Sequence, residues 1–199
     1  MRHLTPHLQF PPELLMRAQG SRPGPDGRIG LRAAIFDVDG VLTDGRLWID
    51  AQGESVKAFH ALDGHGLKLL AQGGITPIII TGRDSPAVRR RVADLGLKEA
   101  HYGAADKLAV AQSALARLGL QWDEVAVMGD DWPDLPLMLR AAFACAPAQA
   151  HAEVRAVAHH VTRAEGGSGA ARECCDLLLA ACGAYARLLQ GHLTTLDGQ

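Results

Sequence analysis

The chain of 199 residues is long enough for one domain with a small appendage, and 48% hydrophobic content supplies a substantial core. Lys plus Arg is 20 and Asp plus Glu is 22, and the resulting charge of −2 exerts no global pull toward nucleic acid or an anionic membrane. No apolar run approaches the length of a bilayer span, and Met1 to Phe10 lacks the apolar centre of a secretory signal, so a cytoplasmic protein is expected. The cysteines Cys145, Cys174, Cys175 and Cys182 form no Cys-x-x-Cys pair. That spacing predicts reduced, buried thiols rather than a disulfide framework or a zinc site.

Residues 1–30 divide into a short helix over Pro12–Gln19, stopped by Gly20, and a flexible link over Ser21–Gly30. The main domain is expected over residues 31–190. It begins with an apolar run, Ala33 to Phe36, that ends abruptly in Asp37-Val38-Asp39-Gly40. Residues 46–59 read as a β-hairpin: Leu47-Trp48-Ile49, a turn over Asp50 to Gly53, then Ser55 to Phe59. Asp63-Gly64-His65-Gly66 leads into a short helix that ends near Gly73-Gly74. Thr76 to Ile80 holds consecutive β-branched residues, which suit a strand buried on both faces, and it runs into Thr81-Gly82-Arg83.

Ser85-Pro86 opens a helix that stops at Gly96, and a short strand near Ala100 to Tyr102 follows. A helix from about Ala105 to Leu118 ends at Gly119. The strand Glu124 to Met128 runs into Gly129-Asp130-Asp131, and Pro133 opens the next helix. Phe143 to Cys145 is a last short strand, followed by a helix around Ala148 to Ala158. His159-His160 reads as surface or loop, with no metal role. A glycine-rich loop, Glu165 to Gly169, precedes a final helix over Ala170 to Leu189, and residues 191–199 read as a frayed tail.

Strands that alternate with helices predict right-handed βαβ units and a doubly wound, Rossmann-like parallel sheet of the α/β class. Ligands of such sheets sit outside the carboxyl ends of the strands. The three clearest strands end in Asp37 and Asp39, in Thr81-Gly82-Arg83, and in Asp130-Asp131. The polar residues therefore gather at one sheet edge. Asp37 and Asp39, two apart on an extended segment, face the same side. Adjacent anions repel unless a proton or cation lies between them, and hard oxygen ligands suit Mg²⁺.

Asp37 is the candidate nucleophile, because an ionised carboxylate attacks phosphorus without first losing a proton. Asp39 is placed to protonate a leaving oxygen and then to activate water. Asp130 completes the metal site from another strand. The Thr81 hydroxyl and the Gly82 N–H are donors for a phosphoryl oxygen. Lys107, after Gly103-Ala104-Ala105-Asp106, is by itself an ordinary helix lysine, although a cation there balances phosphoryl charge.

Asp37-x-Asp39-Gly, Thr81-Gly, Lys107 and Gly129-Asp130-Asp131-x-x-Asp134 together resemble the haloacid dehalogenase superfamily of phosphohydrolases. The resemblance implies that Asp37 is nucleophile and metal ligand. It further implies that Asp39 is acid/base and binds metal through its backbone carbonyl. Asp130 binds metal directly, and Asp131 or Asp134 supports it. The likeness extends over about residues 31–185 to the 3-deoxy-D-manno-octulosonate 8-phosphate (KDO 8-phosphate) phosphatases. It is carried by Asp37 to Gly45, Lys57-Ala-Phe59, Asp63-Gly-x-Gly66, Thr81-Gly-Arg83, and Gly166-Gly-x-Gly169-Ala-x-Arg172-Glu173 before Cys175-Asp-Leu. Trp132-Pro133 stands where an aliphatic pair is expected, a change that falls on the pocket wall.

That resemblance implies a Mg²⁺-dependent phosphatase of the lipopolysaccharide sugar pathway working through an aspartyl-phosphate. Arg83 and Arg172 are candidates for the sugar acid's carboxylate, since a guanidinium pairs with it in bidentate fashion, or alternatively for structural salt bridges. Asp63 is a candidate either for the sugar hydroxyls or for holding the hairpin, Gly64 is a candidate near the sugar, and Gly167 for the glycine-rich gate. Two other readings remain open: a phosphatase for a nine-carbon sugar acid phosphate, and an idle scaffold that keeps only the oligomerising fold. Arg46 to Phe59 is too short for a cap domain, yet an acyl-phosphate needs a dry site. In the resembled family the hairpins assemble a tetramer and the glycine-rich tail reaches a neighbouring site, which implies a homotetramer with Leu47, Trp48 and Ile49 at interfaces.

Overall fold

The computed structural model describes residues 10–20, 30–51 and 53–194. The expected link, apart from Gly30, and the tail beyond Thr194 lie outside the described residues. Six strands form one parallel sheet: β1 Ala33–Phe36, β4 Thr76–Ile80, β5 Glu99–His101, β6 Val125–Met128, β7 Phe143–Ala146 and β8 His160–Val161. Their spatial order is β5-β4-β1-β6-β7-β8. Counted along the chain this is 3-2-1-4-5-6, the order of a doubly wound dinucleotide-binding-type sheet, in which the strand order reverses beside β1. The hairpin strands β2 Trp48–Asp50 and β3 Gly53–Val56 form a separate antiparallel pair.

β1 is buried throughout because both of its faces are covered. Ala34 and Phe36 point into one core, Ala33 and Ile35 into the other. The first core packs against α1 Pro12–Gln19, α2 Ala61–Gln72, α3 Pro86–Leu95 and α7 Ala170–Ala181. The second packs against α4 Lys107–Leu118, the single turn α5 Leu135–Met138 and α6 Ala152–Val157. Phe36 has no exposed surface, and truncating such a ring to alanine costs about 3–5 kcal/mol.

Several elements depart from their expected bounds. Asp63-Gly64-His65-Gly66 does not precede α2 but forms its first turns. Glycine weakens a helix interior, yet here it permits close packing. A Cβ on Gly64 would lie 2.3 Å from Arg91 Nη2, and one on Gly66 3.2 Å from Cys175 Sγ. The helix expected over Ala148–Ala158 shrinks to α6, because Pro147–Ala150 forms a turn and the His151 side chain accepts the Glu153 N–H at the helix start. Pro133 opens a 3₁₀ turn over Trp132–Asp134 rather than a full helix.

The expected final helix is broken in two. Gly183 adopts φ 75°, its N–H bonds Ala180 O, and α8 restarts over Tyr185–Thr194. Apolar periodicity persists across that break, which is why it was not legible. Helix α8 also carries order to Thr194, past the point where fraying was expected. β8, only two residues long, offered no strand pattern. It places His160 on the sheet edge, where Nε2 lies 3.2 Å from Glu173 Oε1.

Candidate active site

The strand ends assemble the site. The Asp37 N–H bonds Met128 O at 3.1 Å, continuing the β1–β6 ladder and bringing Asp37 beside the chain that leads to Asp130. Beyond Asp37 the chain turns back: Val38 O accepts the N–H groups of Val41, Leu42 and Thr43. Gly40 sits at φ 90°, and a Cβ there would lie 2.0 Å from Asp130 Oδ2. Only glycine lets the first loop close on the second carboxylate.

Asp37, Asp39, Thr81, Gly82, Arg83, Lys107, Asp130, Asp131 and Asp134 line one open cleft of about 500 Å³, together with Gly45 and Pro133. At its floor Lys107 Nζ stands 2.7 Å from Asp37 Oδ1 and 2.8 Å from Asp134 Oδ1. Lys107 is the first residue of α4, and Asp106 caps that helix by accepting the Ala109 N–H at 3.0 Å. The other Asp134 oxygen accepts the N–H groups of Asp130 and Asp131 at 3.1 and 3.4 Å. Asp134 is thus fully engaged as the strut of this loop. Thr81 is buried at the end of β4, where its hydroxyl oxygen accepts the Arg83 N–H at 3.3 Å.

Oxygens of Asp37, Asp130 and Asp134 approach within 4.8 Å of one another. Asp130 Oδ1 is buried and has no hydrogen-bond partner. Burial, then repulsion by Asp134, lifts the Asp37 carboxyl to about 6 despite Lys107. Burial, then repulsion by Asp37, lifts Asp130 to about 8. Burial opposes the Lys107 charge, but Asp37 and Asp134 outweigh it and raise its pKa. One ammonium therefore does not neutralise three carboxylates. An orphaned hard oxygen among buried anions fits a small divalent cation, with Asp37 and Asp130 as its carboxylate ligands.

Four expected residues lie elsewhere. Asp63 is buried and accepts the N–H groups of Gly169 and Arg172 at 3.2 and 2.8 Å, so it caps α7 from α2. Gly64 faces Arg91 and Leu95. Arg172 pairs with Asp176 at 2.8 Å and lines a separate, largely apolar cavity with His65, Tyr185 and Leu188. Gly167 packs against Thr43 and Asp44, and its N–H bonds Val41 O at 3.1 Å. The glycine-rich loop thus buttresses the first loop of its own chain. Gln149 joins the two, donating to Gly40 O at 2.7 Å and accepting the Gly166 N–H at 2.8 Å. Trp132 is exposed, its indole N–H bonded to His151 Nδ1 at 3.0 Å, while its neighbour Pro133 forms the cleft wall.

One residue at the site had no assigned role. Lys57, just after the hairpin, buries its ammonium against Asp39 Oδ1 and, at 3.1 Å, Glu54 Oε2. The Glu54–Lys57 spacing was visible in the sequence, but its aim at Asp39 depends on how the hairpin folds over the first loop.

Carboxylates from two adjacent parallel strands, a lysine at the start of a helix, and a threonine ending a third strand define a haloacid dehalogenase-like hydrolase. The family model of that description matches residues 101–173. The KDO 8-phosphate phosphatase of Yersinia pestis is 42% identical over 151 residues, covering 76% of this chain and 81% of its own. A probable YrbI-family phosphatase from Pseudomonas syringae superposes with a TM-score of 0.82 at 43% identity, covering 94% of this chain and 99% of that one. The KDO 8-phosphate phosphatase of Moraxella catarrhalis, solved with magnesium, phosphate and KDO, gives a TM-score of 0.82 at 34% identity over 90% and 98% of the two chains. This chain belongs to the KDO 8-phosphate phosphatase family.

Proposed function

We propose that this protein is a Mg²⁺-dependent phosphomonoester hydrolase that converts KDO 8-phosphate to KDO and inorganic phosphate. The observation that carries the reading is the floor of the cleft: Asp37 held by Lys107, beside a buried Asp130 oxygen without a partner. Family membership supplies the substrate class.

Asp37 and Asp130, with the Asp39 backbone carbonyl, would hold the metal, which when bound neutralises the carboxylates and the phosphoryl oxygens. Asp37 attacks phosphorus. Its Oδ–P bond forms as the ester P–O bond breaks, and Asp39 delivers a proton to the departing sugar oxygen. Asp39 then takes a proton from water, which releases phosphate and regenerates Asp37. Lys107 balances charge on Asp37 and on the transferring group. Thr81 and Gly82 donate to phosphoryl oxygens, and Arg83 stands at the cleft mouth to receive the sugar acid's carboxylate. Asp131 and Asp134 hold the loop that carries Asp130.

The cleft is open, and the hairpin beside it is too small to cover it. We infer that neighbouring subunits complete the cover through the exposed faces of Leu47, Trp48, Ile49 and Val56 in a homotetramer. Among the described residues no helix is long and apolar enough to cross a membrane. We infer that the enzyme acts on a small sugar phosphate in the cytoplasm.

The deciding measurement is kcat/KM for eight-carbon and nine-carbon sugar acid phosphates and for an aryl phosphate. Preference for KDO 8-phosphate is expected, and equal values would defeat the substrate assignment. An idle scaffold would release phosphate from none of them.

A further inference from the structure

Lys57 lies at the base of the hairpin with its side chain only 1% exposed. A buried ammonium costs several kcal/mol unless it is paired. Glu54, three residues earlier on β3, already supplies one carboxylate at 3.1 Å. That pair alone would neutralise the lysine. The ammonium nevertheless also reaches Asp39 Oδ1, on the cleft side. The second Asp39 oxygen lies 3.8 Å from Arg83 Nε. Glu54 also lies near the Ser85 side chain and Arg83. Hairpin, first loop and the loop after β4 thus converge on one carboxylate.

We propose that Lys57 is a positioning residue that fixes the Asp39 carboxylate at the edge of the cleft, so that the hairpin sets the geometry of proton transfer. The proposal rests on the reading of Asp39 as the acid/base. A carboxylate tied at Oδ1 has one oxygen left to turn toward a leaving group. A flexible Asp39 would spend most of its time in unproductive rotamers, and misplacement by about 1 Å can cost about 10²-fold. Lys57 is not among the residues that line the cleft. Its effect therefore passes wholly through Asp39.

The test uses full-length protein with saturating Mg²⁺ and measures single-turnover release of the alcohol. KDO 8-phosphate has a poor, alkoxide leaving group that needs the Asp39 proton, whereas p-nitrophenolate leaves without it. Lys57→Met is expected to slow release from the sugar phosphate by about 10²-fold, and from the aryl phosphate by less than about 5-fold. In an Asp39→Asn background Lys57→Met should add less than about 3-fold. Equal losses on both esters, or an undiminished loss in that background, would overturn the proposal. Lys57→Gln, which keeps a donor without the charge, should show the same ester bias to a smaller extent and serves if Lys57→Met lacks a cooperative thermal transition. Failure of both to fold would make Lys57 a structural residue and also overturn it. Asp37→Asn separates the two readings. Normal turnover by that variant would remove the covalent mechanism itself, whereas a dead Asp37→Asn beside an unbiased Lys57→Met removes only the positioning role.

Discussion

Asp37 and Asp130 show what the cleft lacks when no cation is present. Burial raises both carboxyls, reinforced by repulsion from Asp134 at Asp37 and from Asp37 at Asp130, so their protonated forms favour the fold. That stabilisation is complete below the unfolded carboxylate pKa of about 4 and is lost as pH rises through the folded values. The folded values are about 6 for Asp37 and about 8 for Asp130. The Tm of EDTA-treated protein should therefore fall from about pH 4 to about pH 8, and Mg²⁺ should restore it most at the alkaline end. Calorimetry across that range checks this, and a flat metal-free Tm would contradict it. Asp130→Asn should flatten the profile, raise the metal-free Tm at pH 8 and abolish the Mg²⁺ response. Asp37→Asn should fold normally and lose turnover by on the order of 10³-fold or more. These residues were legible because Asp-x-Asp-Gly and Gly-Asp-Asp each follow an apolar strand. Lys57 was not, because its partner is set by a hairpin that no local spacing aims.

The helices α2 and α7 depend on one another through Asp63 and the glycines. Asp63 offers both oxygens to the start of α7, and a helix start without such acceptors leaves N–H groups unpaired. Asp63→Ala should cost about 1–3 kcal/mol by chemical denaturation. An unchanged midpoint would show that the cap is dispensable. Gly166→Ala is the more severe test, because its Cβ would lie 1.9 Å from Gly40 O, a backbone atom that cannot swing aside. It should destabilise the fold and weaken Mg²⁺ binding together, since Gly40 in turn packs on Asp130. Sequence alone showed that the glycines were special but not why. Gly64 and Gly66 read as a loop ahead of a helix, whereas the helix runs through them to bring α3 and α7 close. Gly183 hid its break because apolar residues continue on both sides of it.

On the scale of the whole molecule, the doubly wound parallel sheet followed from alternation of apolar strands with helices and from right-handed crossovers, whereas the strand order is a finding of the structure. The two-residue β8 was too short to leave a pattern. Under the proposed assembly the open cleft and the exposed hairpin belong together. Trp48 and Ile49 are 57% and 68% exposed, beside a site whose chemistry needs shielding from water. Ile49→Glu should convert an assembled protein to monomer by light scattering and lower turnover with it. A wild-type protein that scatters as a monomer would remove the shared-site reading.

The central place of β1 has a dynamic consequence. Its neighbours are β4 and β6, so the carboxylates of Asp37 and Asp130, far apart in sequence, meet only while β1 and β6 remain paired. No partial opening that separates these strands can retain the ion. Mg²⁺ should therefore slow amide hydrogen exchange along Ile35, Phe36, Val127 and Met128 while leaving the hairpin amides of residues 48–50 nearly unchanged. The cation then acts as a latch on the middle of the sheet.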